Sequence, residues 1–224
     1  MTVAQQLLIL IPIAYVLGSV PFGLIIGLSR GIDPRQAGSG NIGATNVGRL
    51  LGGKFFAIVF TLDCLKGLLP TLAASWVVQR STAAVDWSIY LIWLLVGFAA
   101  IAGHMFSIFL KFKGGKGVAT SAGVMLGVFP YYTLAAGVVL IIWAICFLAT
   151  RTVSLSSMIG AVLFPIVYTA MTLVRGQPVL GQRWPLLAFA VLVAVMVVWK
   201  HRGNIKRLLA GTEPRVVKKA QVSS

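Results

Sequence analysis

The sequence predicts an all-α integral membrane protein of about seven transmembrane helices, one of them short. Three observations carry that reading. Hydrophobic residues make up 58% of the 224 residues and charged residues only 10%, and the mean hydropathy is +0.95, all outside the range of soluble domains. Apolar runs of membrane-spanning length recur between glycines, prolines and charges. The cations crowd into alternate connections, as they do in chains that cross a bilayer repeatedly.

The spans fall near 4–28, 55–78, 87–110, 117–129, 131–150, 153–174 and 184–200. The first has no basic residue ahead of it and no small-residue cleavage site, and its apolar run exceeds that of a signal peptide, so it reads as a retained helix. The second carries Asp63 and Lys66, three apart on one helix face, where a structural ion pair and a catalytic role fit equally. The third holds His104 near its end, either as a satisfied interior histidine or as a substrate contact. At about 1.5 Å per residue, the 117–129 run covers roughly 20 Å of a core about 30 Å thick. It is therefore a half-helix, a segment buried among neighbours, or a crossing helped by bilayer thinning, and 117–150 is either two crossings or a re-entrant piece plus one. Phe129-Pro130-Tyr131 turns it into the next run. Cys64 and Cys146 lie in apolar stretches as small core residues, without a disulfide framework. Residues 1–213 form one polytopic domain, and 214–224 a basic, disordered cytoplasmic tail.

Charge sets the expected orientation. With the N-terminus outside and the C-terminus cytoplasmic, the inner segments carry Arg30, Arg35, Arg49, Lys54, Lys111, Lys113, Lys116, Arg151, Lys200, Arg202, Lys206, Arg207, Arg215, Lys218 and Lys219. The outer loops carry only Arg80, Arg175 and Arg183, the positive-inside pattern. A net charge of +15 then marks cytoplasmic loops and anionic lipid contacts and excludes nucleic acid as the partner. Spans two, four and six start on that cytoplasmic face, so their free N–H groups are potential anion sites. The segments entering them are 48–54, 114–117 and Ser154-Leu155-Ser156-Ser157.

The run from Ala37 to Arg49 is rich in glycine, serine and asparagine. Gly38-Ser39-Gly40-Asn41-Ile42-Gly43 matches the dinucleotide pattern on paper, but it follows a membrane helix rather than a strand, no βαβ pattern surrounds it, and Asp63, about twenty residues on, lies in an apolar span. What survives is a backbone nest for an anion, with Ser39, Asn41, Thr45 and Asn46 as neutral donors and Arg49 as a bidentate phosphate partner. A flexible loop of turn formers is the plainer alternative. Lys113-Gly114-Gly115-Lys116-Gly117-Val118-Ala119-Thr120 fails the Walker pattern, because Gly117 and Leu110 stand where Ser or Thr and a glycine are required. Glycines around a lysine at a helix start still suit phosphate. The block 201–213 reads first as a basic amphipathic surface helix, which leaves His201, Asn204 and Glu213 less well explained.

Absences narrow the chemistry. The sequence has no Cys/His metal cluster, no H-x-x-x-x-D acyltransferase pair and no G-x-S-x-G elbow, so neither metal nor cofactor is implied. An enzyme of this composition works by positioning and electrostatic stabilisation of anionic reactants, with a histidine or the substrate's own phosphate as proton acceptor. No internal repeat or inverted pair of broken helices is evident, which weakens a transporter reading.

Taken together, these blocks resemble the PlsY family of bacterial membrane glycerol-3-phosphate acyltransferases over nearly the whole chain. The resemblance rests on Gly38-Ser39-Gly40-Asn41 through Thr45-Asn46 and Arg49, on Asp63-Cys64-Leu65-Lys66-Gly67, and on Gly103-His104 with Lys113 to Thr120. Ser154-Leu155 and the H-x-x-N-I-x-R-L block of His201, Asn204, Ile205, Arg207 and Leu208, followed by Gly211 and Glu213, complete it. The resemblance implies transfer of an acyl group from acyl phosphate to the 1-hydroxyl of glycerol 3-phosphate, giving lysophosphatidic acid and inorganic phosphate at the inner membrane, with the active site facing the cytoplasm. It implies an acyl-phosphate supply from a PlsX-type synthase. The residues expected to carry catalysis are His201 and Asn204, orienting the glycerol, and Lys116, Arg49 and Ser39, holding phosphate. Gly40, Asn41, Thr45, Asn46, Lys66, His104, Gly114, Gly115, Gly117, Thr120, Ser154, Arg207 and Glu213 are expected to bind substrate. A transporter or channel for a phosphorylated metabolite would use the same cationic face. A lipid phosphotransferase would need Mg²⁺ and paired acids, and that face offers only Asp33 and Glu213.

Overall fold

The computed structural model describes residues 1–82 and 85–215, and the regular elements among them are all helices. Six helical segments are long and apolar enough to cross a membrane, Val3–Leu28, Gly53–Gln79, Trp87–Leu110, Thr133–Thr150, Val153–Val174 and Gly181–Lys200, with Val118–Gly127 as a shorter apolar helix. In chain order the elements are α1 (Val3–Ser19), α2 (Phe22–Leu28), α3 (Ala44–Leu51), α4 (Gly53–Gln79), α5 (Trp87–Met105), α6 (Val118–Gly127), α7 (Thr133–Thr150), α8 (Val153–Val174), α9 (Trp184–Lys200) and α10 (Arg202–Leu209). This is the expected membrane bundle with one short member. The tail expected to be disordered lies, from residue 216 on, outside the described residues.

The first span departs from the single helix expected over 4–28. It breaks between α1 and α2 at Val20-Pro21, because Pro21 has no N–H to continue the ladder. At the break the Val20 carbonyl accepts hydrogen bonds from Lys66 Nζ at 2.9 Å and from the Phe22 N–H at 3.1 Å. Lys66 also pairs with Asp63 at 2.7 Å, both side chains being 4% exposed. A buried charge pair within the second span thus clamps the kink of the first.

Close backbone packing holds the remaining helices. Gly18 of α1 lies against the Ala100 carbonyl and Gly103 of α5 against the Tyr15 carbonyl, where a methyl group would collide. The same pair of helices is laced by the Tyr15 hydroxyl donating to the Phe106 carbonyl at 2.8 Å and Ser107 Oγ donating to the Ser19 carbonyl at 2.6 Å. On the other side Gly67 of α4 meets the Thr120 carbonyl and Gly123 of α6 the Cys64 carbonyl. Such small-residue contacts let membrane helices gain dispersion where burial from water gives little. They also decide among the readings of the short segment. At 10 residues, or about 15 Å, α6 is a helix buried among its neighbours, and Ser75 Oγ ties its end to α4 by donating to the Gly127 carbonyl at 2.5 Å.

The buried core runs through Trp93, Ile101, Met105, Val124 and Tyr132. The Tyr132 hydroxyl donates to the Leu186 carbonyl, joining the start of α7 to α9. Ile141, Ile145 and Leu148 of α7 are exposed, a face suited to lipid.

Candidate active site

The Ala37–Arg49 segment is fixed by one side chain. Asn46 Nδ2 donates to the carbonyls of Pro34 and Ala37 at 2.9 and 3.0 Å, and its Oδ1 accepts from the Ser39 N–H at 2.8 Å. Asn46 is thus a buried staple. Gly38 and Gly40 adopt φ of +63° and +70°, a left-handed backbone that other residues take only with strain. Asn41 Oδ1 accepts from the Gly43 N–H at 2.8 Å, an Asx turn that leads into α3. The segment is a rigid turn, and its second half is helical rather than loop.

That helix changes which N-termini meet. The expectation placed the start of the second span, through 48–54, beside the loops, but α3 fills part of that stretch. The first turns that converge on one polar cleft are those of α3 at Gly43 to Thr45, α6 at Gly117 to Ala119, and α8 at Val153 and Ser154. Each points unpaired backbone N–H groups and a partial positive charge at the same volume of about 750 Å³.

Side chains from five stretches of chain complete it. Ser39, Asn41, Thr45, Asn46, Arg49, His104, Lys116, Gly117, Ser154, His201, Asn204, Arg207 and Glu213 line the cleft together. Asn204 is the hub. Its Oδ1 accepts from Lys116 Nζ at 2.5 Å, and its Nδ2 donates to Glu213 Oε1 at 2.6 Å. Ser154 Oγ donates to the same Glu213 oxygen at 2.7 Å, and Arg207 Nε pairs with Oε2 at 2.8 Å. Arg49 Nη2 donates to the Pro214 carbonyl at 3.0 Å, closing the C-terminal segment over the loop.

Burial and these partners set the protonation. Burial drives the Lys116 ammonium down to about 8; Glu213 opposes that fall, and Arg207 and Arg49 add to it. Burial, aided by Lys116, brings His201 down to about 4, so its imidazole is neutral near pH 7. Its Nδ1 lies 2.7 Å from the Val197 carbonyl, which can only accept; Nδ1 therefore carries the proton and Nε2 keeps its lone pair. Burial alone would raise the Glu213 carboxyl, but the hydrogen bonds from Ser154, Asn204 and Arg207 outweigh it and hold it low. The cleft is a cationic, donor-rich cavity that holds the organised Glu213 carboxylate and the neutral His201 imidazole, with Asp63 and His104 in its wall, and it suits a phosphate monoester carrying hydroxyl groups.

The structure leaves five expected residues away from the cleft. Lys66 is committed to Asp63 and the Val20 carbonyl. Gly40 forms the turn beneath Ser39. Gly114 and Gly115 pack on His104, donating N–H groups to the Met105 and His104 carbonyls at 3.2 and 3.0 Å, and a Cβ on Gly115 would strike the His104 ring. Thr120 is wholly buried against α4. Conversely, sequence reasoning did not assign Phe56, Phe60, Trp143, Val118 or Ser157 to the site. Phe60, Val118, Trp143 and Ser157 also line an apolar groove of about 690 Å³ between α6, α7, α8 and α9. Phe56, Phe60 and Trp143 carry only aromatic character inside apolar runs, which membrane helices carry everywhere, whereas Val118 and Ser157 stand in the 113–120 and 154–157 segments already read as anion sites. Asp63 also reaches the cleft wall, 3.7 Å from His104 Nδ1.

Comparison with known proteins follows the same blocks. The family described as glycerol-3-phosphate acyltransferase matches residues 8–211. The glycerol-3-phosphate acyltransferase of Trichlorobacter lovleyi is 44% identical over 202 residues, 90% of this chain and 93% of its own. That of Aquifex aeolicus is 41% identical over 214 residues, 94% of this chain and 100% of its own. Two crystal structures of PlsY, described as an integral membrane glycerol 3-phosphate acyltransferase, superpose with TM-scores of 0.78 and 0.77 at 39% and 38% identity, covering 95% of this chain and 96% of theirs. One is the glycerol 3-phosphate form and the other the lysophosphatidic acid form. This multi-pass membrane protein therefore belongs to the glycerol-3-phosphate acyltransferase family, the PlsY family that its motifs resemble.

Proposed function

We propose that this chain transfers a fatty acyl group from acyl phosphate to the 1-hydroxyl of glycerol 3-phosphate, forming lysophosphatidic acid and inorganic phosphate. The observation that carries the reading is the junction of the two cavities. A polar cleft with Lys116, Arg49 and Arg207 adjoins an apolar groove, and Phe60, Val118, Trp143 and Ser157 line both. A phosphate and an alkyl chain joined at one carbon match that junction.

The chemistry needs no group beyond the substrates. The glycerol oxygen attacks the acyl carbon, the carbon–oxygen bond to phosphate breaks, and the hydroxyl proton passes to the phosphate. His201, at about 4, is a weaker base than a phosphate dianion whose pKa is about 6. Its Nε2 therefore orients the hydroxyl while substrate phosphate takes the proton. Lys116, Arg49, Ser39 and the N–H groups of the converging helix starts hold phosphate, and Asn204 and Glu213 fix Lys116 and the glycerol end. Positioning of two reactants can supply several kcal/mol of the barrier, about 7–11 in favourable intramolecular cases.

The segments that form the cleft carry most of the cations, which favours a cytoplasmic site in the bacterial inner membrane, with the N-terminus outside. There it would receive its acyl donor from a PlsX-type synthase, within a single domain spanning 1–213. The direct test supplies purified protein with palmitoyl phosphate and glycerol 3-phosphate without added metal. Lysophosphatidate and free phosphate should appear in equal amounts. No product, together with glycerol 3-phosphate uptake into sealed liposomes, would replace the reading with transport.

A further inference from the structure

The polar cleft shares part of its wall with a second hollow. Lys116 and Asn41 line both the cleft and a shallow basin walled by Trp199 and charged by Lys200, Arg202 and Lys206. The basin has no acidic residue in its lining, whereas the cleft contains Asp63 and Glu213. Among the described residues, the carboxylates that form ion pairs do so with Arg35, Lys66, His104 and Arg207, so the basin's cations remain unneutralised. Two of them are also held in place. Arg202 lies 4.8 Å from the Trp199 ring centre, and Lys200 lies 4.3 Å from that of Phe106 while donating to the Met105 carbonyl at 3.2 Å.

The acyl chain would leave the cleft by another wall, past Phe60 and Trp143 into the apolar groove, whose lining has no residue in common with the basin. A lipid seated there blocks that side while its head group fills the cleft. A small dianion must then come and go elsewhere, and Lys116 is the charge that both volumes share. We infer that the basin of Lys200, Arg202 and Lys206 is a port for soluble phosphate dianions, delivering the phosphate monoester to Lys116 and releasing inorganic phosphate. This rests on the acyl-transfer reading above and adds a path to it. Fixed charges around a concave mouth raise local anion concentration and capture rates by about 10- to 1,000-fold, an effect that salt removes.

The test compares wild type, R202E/K206E and a control pair from the same cationic side, R30E/K54E, in neutral detergent. At about 0.01 M salt, R202E/K206E should lower kcat/KM for glycerol 3-phosphate about tenfold and weaken inhibition by inorganic phosphate similarly. Its kcat at saturation and KM for palmitoyl phosphate should not change, and near 1 M salt the difference should shrink to about twofold or less. R30E/K54E should stay within about twofold of wild type throughout. Equal losses in both pairs would assign the effect to general surface charge and overturn the port, as would unchanged constants in R202E/K206E. Adding phosphatidylglycerol to the micelles separates the sources of phosphate. Wild type should keep its constants, and a loss seen in wild type but absent from R202E/K206E would mean that a lipid head group occupies the basin, overturning the inference. If the charge reversals hinder folding, R202Q/K206Q should show the same pattern at smaller amplitude. A wild type that makes no lysophosphatidate refutes the acyl-transfer reading, whereas three active proteins with one set of constants refute the port alone.

Discussion

Lys116 sits where a single proton changes the chemistry. Its ammonium, lowered to about 8 by burial, is charged and able to hold phosphate below that pH. As pH rises through about 8 the charge is lost in the free enzyme, and kcat/KM for glycerol 3-phosphate should fall about tenfold per further unit. K116R, whose guanidinium stays charged, should remove this limb whatever its absolute rate. A wild-type profile flat to pH 9.5 would contradict the charge assignment. At this scale the sequence exposes residue types better than roles. Lys116, Asn204 and Glu213 were legible as candidates because charges and amides are rare in an apolar chain. Lys66 and Asn46 carry the same signal yet are occupied, Lys66 by the Val20 carbonyl and Asp63, Asn46 by backbone groups of its own loop. Nothing in their spacing distinguishes a side chain offered to a ligand from one already satisfied.

Among the elements, the broken first span and α4 form one device. Lys66 donates to the Val20 carbonyl at the break and neutralises Asp63, so K66M should leave a buried carboxylate with only His104 beside it and cost about 3–5 kcal/mol. D63N/K66M, with no charge left to strand, should recover most of that loss in the thermal midpoint of the detergent-solubilised protein. Equal midpoints for K66M and wild type would show that the pair holds nothing. The long spans were legible because apolar runs of bilayer length admit few alternatives. The kink at Pro21 was missed because the hydropathy continues across it. Helix α3 was missed for the opposite reason. Its glycines and polar residues read as loop, and packing supplies what local propensity lacks, with Val47 1% and Asn46 2% exposed.

The whole molecule works at a boundary between two media. The polar cleft and basin lie at the end where the 29–52, 111–117, 150–153 and 200–213 segments meet, and the apolar groove runs into the bundle from that end. If that end is cytoplasmic, then with Cys64 and Cys146 replaced by alanine, a Gln177→Cys variant in intact cells should react with a membrane-impermeant maleimide and a Lys206→Cys variant should not. The reverse pattern would invert the topology. The groove itself could not be read from sequence, because its lining comes from distant helices and consists of residues that any membrane helix contains. The cleft was legible in part, since each contributing block carries its own unusual polar group.

Whether this cleft performs acyl transfer is read from kcat/KM of K116A and R49A with palmitoyl phosphate and glycerol 3-phosphate. Both variants should retain the wild-type thermal midpoint, since each side chain reaches into the cleft rather than the core. Each should lose at least about 100-fold in lysophosphatidate formation, the scale of removing a charged group from a site of electrostatic stabilisation. Near-normal kcat/KM in both would contradict the assignment of this cleft as the site of transfer.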